Sequence, residues 1–205
     1  MNVQSDTNRA RAHSHRMVED IANKKQAIFE STLALIKDHG FHGAPMSMVA
    51  KNAGVAAGTI YHYFESKERL ICELYDYSKK LITAVIKSAS TENDGYKEKF
   101  FQIWSGLFSF YVDRPNILIF FEQFVNSPYN ADKYPHHFRG ELYTFFSKGI
   151  KEGHLKAVKP EILLVLVHGS ITSIAKLHLF GKVPLSKADL KRIAEISWDG
   201  ISVSE

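Results

Sequence analysis

The sequence predicts an all-α protein of about nine helices, and three observations carry that expectation. Apolar residues recur at spacings of three, four and seven along most of the chain. Pro, Gly and short polar clusters cut this pattern into segments of ordinary helical length. No segment keeps the period of two that marks a half-buried strand.

Residues 1–23 are polar, carry Arg9, Arg11 and Arg16, and show little periodicity, so they read as a flexible N-terminal arm. From Lys24 the pattern turns helical. Ile28, Thr32, Leu35 and His39 fall at i, i+4, i+7 and i+11, and Gly40 supplies a stop. Two short helices are expected at 45–53, closed by Gly54, and at 57–64. A longer helix over 66–88 follows, with Leu70, Leu74, Tyr77 and Leu81 as its stripe, and then a loop over 91–95. Further helices are expected over 96–112, 115–126, 133–152, 160–180 and 186–201, separated by Arg114-Pro115, Ser127-Pro128, Gly153, Lys159-Pro160 and the stretch 181–184. The domain reading is an arm (1–23), a helix-turn-helix domain (24–70) and a helical regulatory and dimerisation domain (71–205).

Composition narrows the class. With 205 residues, 45% hydrophobic and 23% charged, the chain is of the globular type and not disordered or fibrous. The single cysteine, Cys72, excludes an intrachain disulfide framework and a cysteine-clustered zinc site. The longest aliphatic run, 162–167, falls far short of the roughly 20 residues that span a bilayer, so no membrane segment is expected. The N-terminus lacks the apolar core of a signal peptide, and the expected location is cytoplasmic. The formal charge of +4 discriminates little: residues 1–70 hold nine Lys/Arg against seven Asp/Glu, and residues 71–205 hold seventeen against fifteen.

The informative stretch is 44–67, APMSMVAKNAGVAAGTIYHYFESK. Two short helices flank a tight turn at Asn52-Ala53-Gly54-Val55, which is helix-turn-helix spacing. Gly54 suits the positive φ with which such a helix commonly ends. Val49, Ala50, Val55 and Ile60 are the expected buried contacts between the helices. On the outside stand Ala57, Gly58, Thr59, Tyr61, His62 and Tyr63. Small residues at the start admit close approach of a duplex, while hydroxyl and imidazole groups reach phosphates and base edges. Lys67, just beyond, suits a phosphate contact.

Residues 24–74 resemble the DNA-binding domain of tetracycline-repressor (TetR) family regulators. The resemblance rests on Asp38-His39-Gly40-Phe41, on Ala50-Lys51-Asn52-Ala53-Gly54-Val55, on Gly58-Thr59-Ile60-Tyr61-His62-Tyr63-Phe64 and on Ser66-Lys67. It implies a homodimer that places one recognition helix per subunit in the major groove of an operator. Carried over by position, it implies a DNA-facing set of Ser47, Ala57, Gly58, Thr59, Tyr61, His62, Tyr63 and Lys67. It also implies a ligand-responsive transcriptional regulator, most often a repressor. The chain departs from the family pattern where Ser or Thr usually starts each short helix. Ala44-Pro45 and Ala56 stand there, and Ala is a poor cap by about 1 kcal/mol. The arginines of the arm are expected to supply phosphate contacts in compensation.

The remaining three quarters is rich in aromatic residues. A ligand cavity between helices is expected there, with Trp104, Phe108, Phe121, Phe124 and Tyr143 as candidate lining residues for a small apolar or aromatic effector. No cofactor and no metal is expected: His168 and His178 are ten residues apart, not at the i, i+4 spacing of a helical metal site. The sequence carries no HExxH, GxGxxG, P-loop or Cys–His pairing, so an enzyme is not expected. The helices 160–180 and 186–201 are the expected dimer face. The competing reading is a helical protein-binding adaptor without an effector pocket.

Overall fold

Among the described residues the chain is drawn almost wholly into helices: α1 (Val3–His39), α2 (Met46–Asn52), α3 (Ile60–Tyr63), α4 (Lys67–Ser88), α5 (Tyr96–Asp113), α6 (Pro115–Val125), α7 (Glu141–Lys151), α8 (Pro160–Phe180) and α9 (Lys187–Ile201). A 3₁₀ turn, Pro128–Asn130, follows α6. The structure, a computed structural model, describes residues 3–89, 94–130 and 140–203, with the backbone course alone for 3–18. The chain divides into two units, Met1–Leu74 and Tyr75–Glu205, and the division falls inside α4.

Two boundaries differ from the sequence expectation. α1 begins at Val3 and not at Lys24. No Gly or Pro interrupts the chain from 3 to 39, and Ala, Arg, Glu and Lys sustain a helix by propensity even where no apolar stripe exists. Periodicity reports an apolar stripe, whereas propensity can extend a helix without one. The expected helix over 57–64 contracts to α3, one turn long, preceded by turn residues at 57–59. Gly58 is a costly residue in a helix, which fits that contraction. Of the expected helix over 133–152, α7 starts at Glu141, and 133–139 lie outside the described residues, as do Tyr134, Phe138 and the pair His136-His137.

The first unit is built around α1. Ile28, Leu33 and Ile36 are fully buried, together with Val49, Ala50, Ile60, Phe64, Leu70 and Leu74 from the three helices that follow. α1 packs on α2, and the Ser31 hydroxyl donates to the Val49 carbonyl at 3.0 Å. Val55, expected in this core, is half-buried.

In the second unit α5 is the central helix and packs against α8, α9 and α6. Its inner face, Phe100, Ile103, Trp104, Leu107, Phe108 and Tyr111, is buried at helical spacing. A Cβ on Gly149 would collide with the Tyr96 phenol, so this glycine permits the close approach of α7. α9 opens with a capping box in which Ser186 and Asp189 each bond the other's backbone N–H. It ends with Ser202 bridged to Leu155, and the Lys156 ammonium accompanies the bridge by donating to the Gly200 carbonyl at 2.8 Å.

Candidate nucleic-acid interface and apolar cavity

The turn between α2 and α3 has the geometry its residues demand. Gly54 sits at φ +68°, and its N–H donates to the Lys51 carbonyl at 3.2 Å. A β-carbon there would meet nothing within 4 Å, so the glycine is required by the backbone and not by space. The Val55 N–H returns to the Ala50 carbonyl at 3.0 Å and closes the corner. α2 has Pro45 in the N-cap place, with no side-chain cap.

α3 is anchored from below and open above. Ile60 and Phe64 are buried, and the Phe64 ring meets Phe29 at 5.4 Å between centroids. The Lys25 ammonium lies over the Phe64 ring at 5.1 Å and pairs with Glu73 at 3.2 Å. Glu73 is also held by Arg69 at 2.9 Å, so α1 and α4 are laced together beneath the short helix. On the outer side, Ser47, Ala57, Gly58, Tyr61 and His62 are exposed, whereas Thr59 and Tyr63 are half-buried. Tyr61, at 54% exposure, is a large aromatic held out in water by a helix whose other face is fixed.

Lys67 is placed differently from its expectation. It is half-buried, and its ammonium donates to the Phe41 carbonyl, so it ties α4 to the turn after α1. An ammonium has three donors, but its geometry is set by this internal bond. Met48, exposed beside Ser47, and Lys51 extend the same outer surface and had no signal in the motif reading beyond their place on α2. The side chains of Arg9, Arg11 and Arg16 lie outside the described residues.

The second unit holds a cavity of about 470 Å³ bounded by α4, α6, α7 and α8. Two of the five expected lining residues, Phe121 and Tyr143, face it. Trp104, Phe108 and Phe124 do not: all three are buried in the core. Trp104 and Phe108 stack at 5.9 Å on the inner face of α5, and Phe124 stacks on Tyr75 at 4.6 Å. The central helix spends its aromatic residues on filling the core.

The cavity wall instead mixes aliphatic with aromatic and polar side chains. α4 contributes Tyr75, Ile82 and Ile86, and α8 contributes Leu164, Val165 and Thr172. Both sets fall at helical spacing, a signal legible in the sequence but hidden by attention to aromatics. Charged groups of both signs also line it: Lys176 pairs with Glu122 at 2.7 Å, Glu141 pairs with Lys87 at 3.1 Å, and Lys79 makes no ion pair among the described residues. Elsewhere His168 lines the wall, and its Nε2 lies 2.7 Å from the Tyr111 hydroxyl. Burial pushes His168 down to about 4 and Tyr111 above the usual phenol range, so both are neutral at ordinary pH. The His178 Nδ1 accepts from the Leu185 N–H at 3.2 Å. Among the described residues no group of three His, Cys, Asp or Glu gathers as a metal site.

α8 carries an outward apolar stripe, with Ile162, Leu166, Leu177 and Phe180 exposed and the small residues Gly169 and Ser173 between them. A β-carbon on Gly169 would meet nothing within 4 Å. By length and composition, with mean hydropathy 1.6, α8 would suffice to cross a membrane. The six-residue aliphatic run is prolonged by Gly, Ser, Thr and Ala as far as Lys176, and core helices pass the same test of length and composition.

Comparison with known proteins agrees with this architecture at both ends. Residues 28–74 match the family of bacterial regulatory proteins, tetR family, and residues 95–202 match the tetracyclin repressor-like C-terminal domain. An uncharacterized HTH-type transcriptional regulator of Haemophilus influenzae is 28% identical over 178 residues, 86% of this chain and 94% of that protein. The fatty acid metabolism regulator protein of Bacillus subtilis is 31% identical over 96 residues, 47% of this chain and 50% of that one. Among solved structures, a TetR-family transcriptional regulator of H. influenzae superposes with a TM-score of 0.79 at 26% identity, over 89% of this chain and 98% of that one. The regulator FadR of B. subtilis, in complex with stearoyl-CoA, shares the fold with a TM-score of 0.68 at 23% identity, over 85% and 95% of the two chains. With a helix-turn-helix head and a helical C-terminal domain both matched, the chain belongs to the TetR family of DNA-binding transcriptional regulators.

Proposed function

We propose that the protein is a homodimeric repressor that an effector with an apolar chain and an anionic head releases from its operator. The observation that carries this reading is the pairing of an outward Tyr61 on α3 with an apolar cavity that α4 helps to line. α3 presents Ala57, Gly58, Thr59, Tyr61, His62 and Tyr63 toward a major groove, with Ser47 beside them on α2. Ala57 and Gly58 bring backbone close, and the phenols and imidazole reach base edges and phosphates. Lys67 holds the turn in place first and serves phosphate only secondarily.

One short recognition helix reads half a site, so two copies must lie roughly 34–36 Å apart on the duplex. The stripe of Ile162, Leu166, Leu177 and Phe180 on α8, with Ile196 exposed on α9, supports dimerisation through these two helices. Such a regulator works in the cytoplasm, where its operator is.

The aliphatic side chains of the wall and the Lys79 and Lys176 ammonium groups support an acyl chain with an acidic head. The name of the Bacillus relative and the stearoyl-CoA in its structure point the same way. α4 begins at Lys67 in the DNA-reading head and lines the cavity from Tyr75 onward, so it is the element through which effector occupancy acts. Tenfold relief of operator binding requires the effector to prefer the released state by about 1.4 kcal/mol. The test is fluorescence anisotropy on the DNA upstream of the protein's own gene, titrated with dodecanoic acid and dodecanoyl-CoA. Release by either supports the proposal, and retention of DNA through saturating binding of both contradicts it.

A further inference from the structure

The His168–Tyr111 pair does more than fill the wall. Tyr111 is fully buried on α5, and its hydroxyl meets His168 alone among the hydrogen bonds of the described residues. A phenol has one proton to give, so both groups are satisfied when Tyr111 donates to Nε2 and the imidazole carries its proton on Nδ1. This tautomer is assigned by hydrogen-bond satisfaction. The Nδ1–H then has no protein acceptor among the described residues, on a ring that lines the cavity. The same wall holds Leu164 and Thr172 one turn to either side.

We infer that His168 is the specificity-determining residue of the cavity, donating from Nδ1 to an uncharged oxygen, a hydroxyl or a carbonyl, carried on the apolar chain of the effector. The inference rests on the cavity being the effector site. The pair is neutral, so it offers a directed donor without charge, and burial makes a full carboxylate there costly. The anionic head belongs at the lysines. Lys176 is two turns along α8 from His168, on the order of 12 Å along the axis, which sets the spacing between head and chain oxygen. The effector class is therefore an oxygenated fatty acid or its coenzyme A thioester, not a plain one. A site built around a buried donor discriminates against the ligand that leaves that donor unpaired.

Calorimetric titration with dodecanoic acid and with its ω-hydroxy derivative tests this. The wild-type protein is expected to bind the hydroxy acid about five- to tenfold more tightly. His168→Phe is expected to keep the plain acid and lose that preference. Tyr111→Phe leaves the imidazole but frees its tautomer, and is expected to narrow the preference, which gives an independent reading should His168→Phe not fold. Equal binding of the two acids by wild type, or a preference unchanged in both variants, overturns the role of His168 alone. Binding of neither acid overturns the effector-cavity reading together with it.

Discussion

The Lys67 ammonium donates to the main-chain carbonyl of Phe41, so the first residue of α4 is fastened to the turn that ends α1. This carbonyl, which the Ala44 N–H also reaches at 3.4 Å, thereby gains a charged donor, a stronger bond than a neutral pair makes. Lys67→Met is expected to cost about 1 kcal/mol and lower the melting temperature by about 2–4 °C. The salt dependence of operator binding separates this role from phosphate contact. With an internal role, the slope of log affinity against log salt is unchanged; a phosphate contact removed would flatten it by about 0.9.

Gly54 and Gly58 make a matched pair of tests. Gly54→Ala meets open space but a φ of +68°, and is expected to destabilise by about 1 kcal/mol. Gly58→Ala also meets open space, without a left-handed backbone, and is expected to leave thermal stability unchanged. If Gly58 faces the duplex as proposed, its added methyl stands in the way of close approach, and operator affinity should fall at least tenfold. Urea unfolding and anisotropy read the two effects separately.

The α8 stripe predicts the oligomeric state. Leu166, 57% exposed at the middle of the stripe, lies beside Gly169 and Ser173, where backbones can approach closely. Leu166→Glu is expected to convert a dimer to a folded monomer, measured by sedimentation equilibrium with circular dichroism as the check on folding. A mutant that sediments as the wild type would place the dimer face elsewhere.

His168 gives stability a pH dependence of definite sign. Its ring titrates near 4 in the folded protein because burial disfavours the charged form, and near 6.5 when unfolded. Between these values the unfolded chain binds more protons, so stability is full above pH 6.5 and falls toward pH 4. The loss is on the order of 3 kcal/mol at the lower end. The difference in unfolding free energy between wild type and His168→Phe should shrink over this window, and a difference flat with pH would contradict it.

The head was legible because its residues answer local demands. Gly54 must supply a positive φ, and Ile60 and Phe64 alternate with exposed neighbours on a helix too short to misread. The internal tie of Lys67 was not legible because its partner, the Phe41 carbonyl, lies 26 residues away and leaves no mark on spacing. The cavity was half legible for a related reason. Aromatic content located the second unit's core, and the core absorbed Trp104, Phe108 and Phe124. The space itself is framed by aliphatic residues of α4 and α8, which read in sequence as ordinary stripes. His168 was visible only as a histidine at the wrong spacing for a metal. Its meaning comes from Tyr111, 57 residues earlier on another helix.

The central claim, that α3 reads DNA through its outward phenol, is tested most directly by Tyr61→Ala on the DNA upstream of the protein's own gene. Tyr61 is more than half exposed, so the variant should fold and dimerise as the wild type. In an electrophoretic shift at moderate salt, wild-type protein is expected to retard the specific fragment and the variant to lose at least tenfold in affinity. A wild-type protein that shifts no fragment near its gene, or a Tyr61→Ala variant that shifts it equally well, would contradict the account.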